Sequence, residues 1–536
     1  MKKKLLTLTL IFVMVMALAA CGNKDSGGGG SAEGGVSANS DITILDYADL
    51  SSLYPLDMGT QSDAQPMFLL YDSLLRLSPD QEYIWMLAES CQASEDGLEY
   101  TFKLREGISF SDGTPWNAEA AKANLDVMAD QSLGYNSQYL FSCIDSTEIV
   151  DEYTIKVTLK EVYAPFLNAL ATESACMVSP KSLEAGREVL ASQPVGTGQY
   201  TLVERKAGEY TKLALNRDWW GYDAEICGGE PLVAEDCGFN SITIRPITEE
   251  ATRVAMLQNG EADIINQFSH VNQTVVENSG NHILKKTGSQ IAYVYFNCQK
   301  DVFQDARVRQ AISMAIDLDA LNEVVYGNNY AKPNSFMTEV MKYYKAFDPI
   351  KYDPEAAKAL LAEAGYGNGL TLVAWEENDT TDVQRGEFIQ QQLAEVGIDL
   401  KIYPQEGGFL TDNVNAYSGD PAKTEWDIYI RGYAADTADA DEMVGRFSTG
   451  AFPPAGSNYS FYSNKEFDKW IEQGASTLDE DVRSEAYANA QEILWNDMPA
   501  IPTLSACYIA GYNDHIEGLD FGTAGSFFLM NAKYVE

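Results

Sequence analysis

Basic residues and histidines are scarce in this chain. Lys and Arg number 37 against 79 Asp and Glu, for a formal charge of −42. That balance excludes nucleic acid as a partner, since phosphate binding needs clustered cations. The acidity instead keeps a large body soluble, and no run of five or six like charges forms an acidic tail. Only His270, His282 and His515 are present, too few for most acid–base schemes or for metal capture by imidazole. A Gly-x-Ser-x-Gly elbow and a His-Glu-x-x-His helix are both missing. Among hydrolases, only one built on a carboxylate pair stays open. Cysteine pairs at C-x-x-C spacing are missing too. Of the 8 cysteines, Cys227 and Cys237 are near enough in sequence for a local bridge. No cofactor is expected. Stability must come from hydrophobic cores, which 45% hydrophobic residues can fill.

Long apolar runs are absent beyond residue 20. At the start, Lys2, Lys3 and Lys4 precede an apolar stretch from Leu5 to Ala20. It is too short to cross a bilayer, which takes roughly 20 residues, and reads as a secretory signal. Ala19-Ala20-Cys21 resembles a bacterial lipobox, so Cys21 is the expected lipidation site. Residues 1–20 are then a lipoprotein signal peptide, and residues 21–40, rich in Gly and Ser, are a flexible linker. The expected location is extracytoplasmic, at the outer face of the cell membrane. The remaining body is long enough for more than one domain.

Two segments alternate strand, helix and strand. Ile242–Ile247 is a predicted strand, Glu249–Asn259 a helix with Val254 and Leu257 on one face, and Ala262–Asn266 a second strand. In the other, Leu370–Trp375 is a strand and Thr381–Val396 a helix carrying Phe388, Ile389, Leu393 and Val396. Ile398–Tyr403 and Trp426–Arg431 follow as strands. Asp353 with Pro354, Asp305 and Asn117 mark three further helix starts. Such alternation predicts an α/β protein with parallel pairing, and two separated units predict a two-lobed clamshell. Ligands in open α/β sheets bind beyond the carboxyl ends of strands. Gln267 and Phe268, Trp375, and the stretch from Tyr433 to Asp436 are the cleft candidates. Phe268, Trp375 and Tyr433 serve equally well as core aromatics.

Several blocks then agree with one family. Asp96-Gly97-Leu98-Glu99-Tyr100-Thr101-Phe102, Leu104-Arg105-Glu106-Gly107 and Phe110-Ser111-Asp112-Gly113-Thr114-Pro115 form one of them. Pro194 to Tyr200, Asn216-Arg217-Asp218-Trp219-Trp220-Gly221, Val308 to Ile312, and Pro499 to Pro502 keep the same order. The chain resembles the family 5 extracellular solute-binding proteins, the peptide/nickel-binding receptors of ABC importers. The resemblance implies a periplasmic-binding-protein-like clamshell of the class II, three-domain type with mixed sheets. Lobe I would comprise 41–77, 191–290 and 505–536, an inserted subdomain 78–190, and lobe II 291–504. It implies capture of a di- or oligopeptide, delivery to permease subunits, and no catalysis. A monomer is expected.

Within the resemblance, Asp436 matches an aspartate that grips a peptide's α-ammonium, and Tyr433 stands where many members have Trp. Asp439, Asp441 and Glu442 crowd the same stretch, which also reads as a solvated acidic loop. A calcium loop is a weaker reading, because the Asp-x-Asp-x-Asp-Gly order is missing. Arg385 reads as a solvated helix arginine, with carboxylate recognition as its alternative role. An oligosaccharide and a nickel chelate are the other cargoes considered.

Overall fold

The computed structural model describes residues 41–535, except residues 436, 523 and 524 and the side chain of His270. Cys21, the signal peptide, the linker and Asp436 therefore lie outside the described residues. No helix among the described residues is long and apolar enough to cross a membrane.

A ten-stranded mixed sheet organises the body. In chain order its strands are β1 (Asp41–Asp46), β2 (Tyr200–Lys206), β3 (Tyr210–Leu215), β4 (Ser241–Pro246), β5 (Ile264–Asn266), β6 (His282–Phe296), β7 (Leu370–Glu377), β8 (Ile398–Gln405), β9 (Ile428–Tyr433) and β10 (Ala500–Tyr512). In space they run β8-β7-β9-β6-β10-β5-β1-β4-β3-β2. The parallel pairs are β7 with β8 and β9, and β1 with β4 and β5.

Both strand–helix–strand units form. The Thr380–Glu395 helix crosses from β7 to β8 and buries Ile389 and Leu393 against Leu372, Ala374 and Leu400. Asp379 starts it, accepting from the backbone N–H of Thr381 and Asp382 at 2.9 and 3.0 Å. The Glu250–Gln258 helix crosses from β4 to β5 and packs Val254 and Leu257 on Leu45 and Ile265. Here β4 and β5 are not neighbours, because β1 lies between them. The intervening strand comes from about 200 residues upstream, so no local pattern announces it. Asp353, Asp305 and Asn117 cap their helices as expected. A separate four-stranded antiparallel sheet, built from Ala88–Ala93, Glu99–Leu104, Ile144–Asp151 and Thr154–Leu159, shares its core with the half that carries β1.

One buried carboxylate gathers several of the sequence blocks. Asp72, with no exposed surface, accepts hydrogen bonds from Thr197 Oγ1, Trp219 Nε1 and Trp220 Nε1 at 3.0, 3.3 and 2.9 Å and pairs with Arg76. Gly198 is needed beside it, since a Cβ there would lie 2.4 Å from the Leu69 carbonyl oxygen. The Gly196-Thr197-Gly198 segment is thus a packing device and cradles no phosphate.

The two halves touch at both flanks of the space between them. On one side Asn168 Nδ2 donates to the Thr437 carbonyl at 2.7 Å, while its Oδ1 accepts from Tyr83 Oη. On the other, Asn329 Nδ2 donates to the Phe268 carbonyl at 3.5 Å and its Oδ1 accepts from Gln273. Both contacts bridge that space.

Removing one member of a buried charge pair typically costs 3–5 kcal/mol. Asp72→Ala is therefore expected to lower the unfolding free energy by about that amount, checked by urea denaturation. Asn168→Ala leaves the Thr437 carbonyl without its donor, at a cost to the closed form of about 1–3 kcal/mol. Small-angle scattering of the unliganded variant should then give a larger radius of gyration than the parent.

Candidate functional site

The site begins with a fault in a strand pair. β6 and β10 run antiparallel, but Thr287 pairs with Cys507 and the next partners are Ile291 and Ser505. Residues 288–290 of β6 thus face residue 506 alone. Such a bulge bends the strand and re-aims side chains. Gly288 fits because a Cβ there would lie 2.7 Å from the Tyr508 ring, and Ser289 Oγ donates to the Ala435 carbonyl at 2.9 Å. Gln290, the third residue, is exposed and projects into the space between the halves.

Three cavities meet at Gln290. The first, about 390 Å³, carries Arg385, Arg431, Tyr326, Tyr330 and three carboxylates. The second, about 360 Å³, is lined by Gln61, Tyr508, Ala434 and Ala435 among others. The third, about 300 Å³, includes Gln267, Phe268, Asn329 and Tyr326.

Charge is concentrated in the first cavity. Arg385 is 3% exposed, donates from Nη1 to Tyr326 Oη at 3.1 Å, and is ion-paired with Asp382. Its Nε has no hydrogen-bond partner among the described residues. Arg431 donates from Nη1 to Tyr429 Oη at 2.9 Å and to Asn415 Oδ1 at 3.3 Å. Burial pushes the Asp382 carboxyl up to about 7, with Arg385 opposing. Carboxylate oxygens of Glu377, Asp379 and Asp382 lie within 4.8 Å of one another. Asp379 caps the helix and Asp382 holds Arg385, so a guanidinium already answers this group. The wall carries mixed charge and suits a ligand with both an anionic and a cationic group. At an effective dielectric of 20, unit charges 4 Å apart interact by about 4 kcal/mol.

The expected cleft residues divide. Gln267 and Phe268 line the third cavity. Gln267 holds φ at 53°, where its carbonyl accepts from Arg253 and its N–H donates to the Ile509 carbonyl at 2.9 Å. Trp375, expected at the cleft, lies instead in the aromatic core, with its ring centroid 4.8 Å from Trp426 and 5.3 Å from Phe409. Trp375 and Glu377 share one face of β7, and the cavity begins only at the strand's last residue, Glu377. Tyr433 turns its ring under the Arg446 guanidinium, 3.4 Å away, and donates to Glu442 Oε1 at 3.3 Å. Its neighbours Gly432 and Ala434 are the cavity residues.

The acidic stretch after residue 436 is not a solvated loop. Asp439 is buried and takes Arg483 Nη2 on both oxygens at 2.8 Å. Asp441 accepts from Tyr487 Oη at 2.7 Å, and Glu442 accepts from the Thr437 N–H and hydroxyl at 2.9 and 2.8 Å. These engagements also leave no open oxygen cage for calcium. His282 pairs with Asp514 and His515 stacks on Tyr534, both away from the cavities. All seven cysteines from Cys91 to Cys507 are free thiols, Cys227 and Cys237 included.

Arg431, Gln290, Tyr326 and Tyr330 are wall residues that sequence reasoning passed over, and Arg385, read first as solvated, is buried here. A signal existed for Arg385. It precedes Ile389 by four and Leu393 by eight, which puts it on the buried face of its helix.

Residues 82–453 match the family described as bacterial extracellular solute-binding proteins, family 5 Middle. The glutathione-binding protein GsiB of Escherichia coli K12 is 31% identical over 484 residues, 90% of this chain and 92% of that protein. HbpA2 from Haemophilus parasuis superposes with a TM-score of 0.82 at 23% identity, covering 92% of this chain and 100% of its own. DppA from Helicobacter pylori, solved with the peptide STSA, gives 0.73 at 25% identity, over 92% of this chain and 98% of its own. With that match, the two-lobed fold and the charge-lined cavity at Gln290, the chain belongs to the family 5 extracellular solute-binding proteins, extracytoplasmic substrate-binding components of ABC importers that bind cargo without catalysis.

Proposed function

We propose that this chain is a receptor anchored through a lipid on Cys21, which captures short peptides between its halves and presents them to the importer's permease. The observation that carries the peptide reading is Arg385, a nearly buried guanidinium at the wall of the first cavity whose Nε has no hydrogen-bond partner among the described residues. Guanidinium and carboxylate pair with matched planar geometry, so Arg385 takes the cargo's carboxylate. Asp436 follows Ala435 of the second cavity and takes the α-ammonium. Gln290 meets the peptide backbone where the cavities join, and the second and third cavities receive side chains with bridging water.

Relatives support this reading, since GsiB is named for glutathione and the DppA structure contains a peptide. An oligosaccharide has less to stack on, because Trp375 faces Trp426 and Tyr433 faces Arg446. In the same reading the chain acts as a monomer, with lobe I at 41–77, 191–290 and 505–536, an inserted subdomain at 78–190, and lobe II at 291–504. The register change between Thr287 and Ile291 supports a boundary there.

A thermal-shift series with dipeptides, tripeptides, glutathione, nickel and manno-oligosaccharides tests the cargo class, because a tight binder raises the melting temperature by mass action. Peptides are expected to give the largest shift, and a larger shift with nickel or sugar overturns the reading. Arg385→Ala and Asp436→Ala should each weaken binding of the best peptide by about 2–5 kcal/mol in calorimetry. Unchanged affinity in either variant removes that residue from the site. Cys21→Ser is expected to release the protein from the membrane fraction.

A further inference from the structure

Behind Arg385 lies a carboxyl group with no partner of its own. Glu376 in β7 is 1% exposed, and neither of its oxygens makes a hydrogen bond among the described residues. Space for it is made in the facing helix by Gly386, where a Cβ would lie 2.0 Å from Glu376 Oε2. Gly386 follows Arg385 directly, so the carboxyl lies over the helix backbone at the base of that side chain. A glycine in a helix interior costs about 1 kcal/mol against alanine. A smaller or apolar residue at 376 would not need that gap.

The charged groups around Glu376 come mainly from one helix. Arg385, Asp382 and Glu387 belong to it and Asp379 caps it, while Tyr326 reaches Arg385 from the Leu318–Tyr326 helix. Across the sheet its neighbours are Pro404 and Ile430, which carry no charge. Glu377, next in sequence, belongs to the cavity wall. An isolated carboxylate in such a place is costly, and the group responds by keeping its proton. Burial pushes the Glu376 carboxyl up to about 8; Arg385 opposes, and Asp382, Asp379 and Glu387 add to the rise.

We infer that Glu376 is a positioning residue for the anion subsite: as a neutral acid it leaves the Arg385 charge to an anionic group of the cargo, and as a carboxylate it competes for that charge. The cargo half of this inference rests on the peptide reading above. Capture of an anion is then proton-linked. Affinity is full while Glu376 is protonated and falls as pH rises through about 8. Stability follows the same sign, because a carboxyl raised above its unfolded value stabilises the fold at low pH and loses that contribution as pH rises.

Glu376→Gln tests both halves. In urea denaturation without ligand between pH 5.5 and 9, the unfolding constant of the parent relative to the variant should rise on the order of a hundredfold. Parallel pH curves overturn the proposal. Should E376Q not fold, the parent's own loss of stability across the same range decides, and a flat profile overturns it. For cargo, glutathione and the dipeptide Met-Leu serve as calorimetric probes at pH 6.5 and 9.0. The probes' own amines titrate equally against both proteins, so the readout is the difference between them. The parent's fall in affinity should exceed that of E376Q by about fivefold or more. An equal fall assigns the linkage to Asp382 and overturns the role of Glu376. If neither probe binds at either pH, the peptide reading fails, while the urea series still decides on Glu376.

Discussion

Everything between the two halves depends on the pairing of two long strands, β6 and β10. They bring both ends of the sheet into one hydrogen-bonded ladder, and the place where their register fails is where the cavities meet. A sheet that kept perfect register would hold its two ends as one rigid surface. Three residues facing one gives the strand a local bend, room for Gly288 under Tyr508, and an outward-pointing Gln290. The register fault and the centre of the binding space are thus one feature.

Charge in the first cavity follows from its backbone. Asp379 caps the helix after β7, and Asp382 follows in its first turn, its backbone N–H donating to that cap. Arg385 lies one turn further, on the face turned inward. The mixed-charge wall grows out of capping chemistry, with the guanidinium held by Tyr326 and Asp382 and ordered before cargo arrives. Preorganisation of this kind reduces the entropy lost on binding.

Local periodicity revealed the two strand–helix–strand units and the capped helices, because each depends on residues near in sequence. The insertion of β1 between β4 and β5 was invisible for the opposite reason: its partners lie about 200 residues away. Trp375, readable as a cleft residue or a core aromatic, falls in the core because the cavity begins two residues further along the same strand face, at Glu377. Arg385 was misread through type, because a lone arginine suggests solvent even where its spacing from Ile389 and Leu393 says otherwise. The family blocks around Thr197 and Trp219–Trp220 were recognisable without their purpose, which is to satisfy the buried Asp72.

The position of β1 has a consequence for how the protein comes to exist. The half that carries it is stitched from the first described strand and, through β5, from β10 near the chain's far end. That half cannot complete its ladder until β10 has joined it. Until residues 500–512 emerge, β5 and β6 each keep a bare edge ready to pair with the wrong neighbour. Completion of that half therefore waits on the one strand that seals both edges.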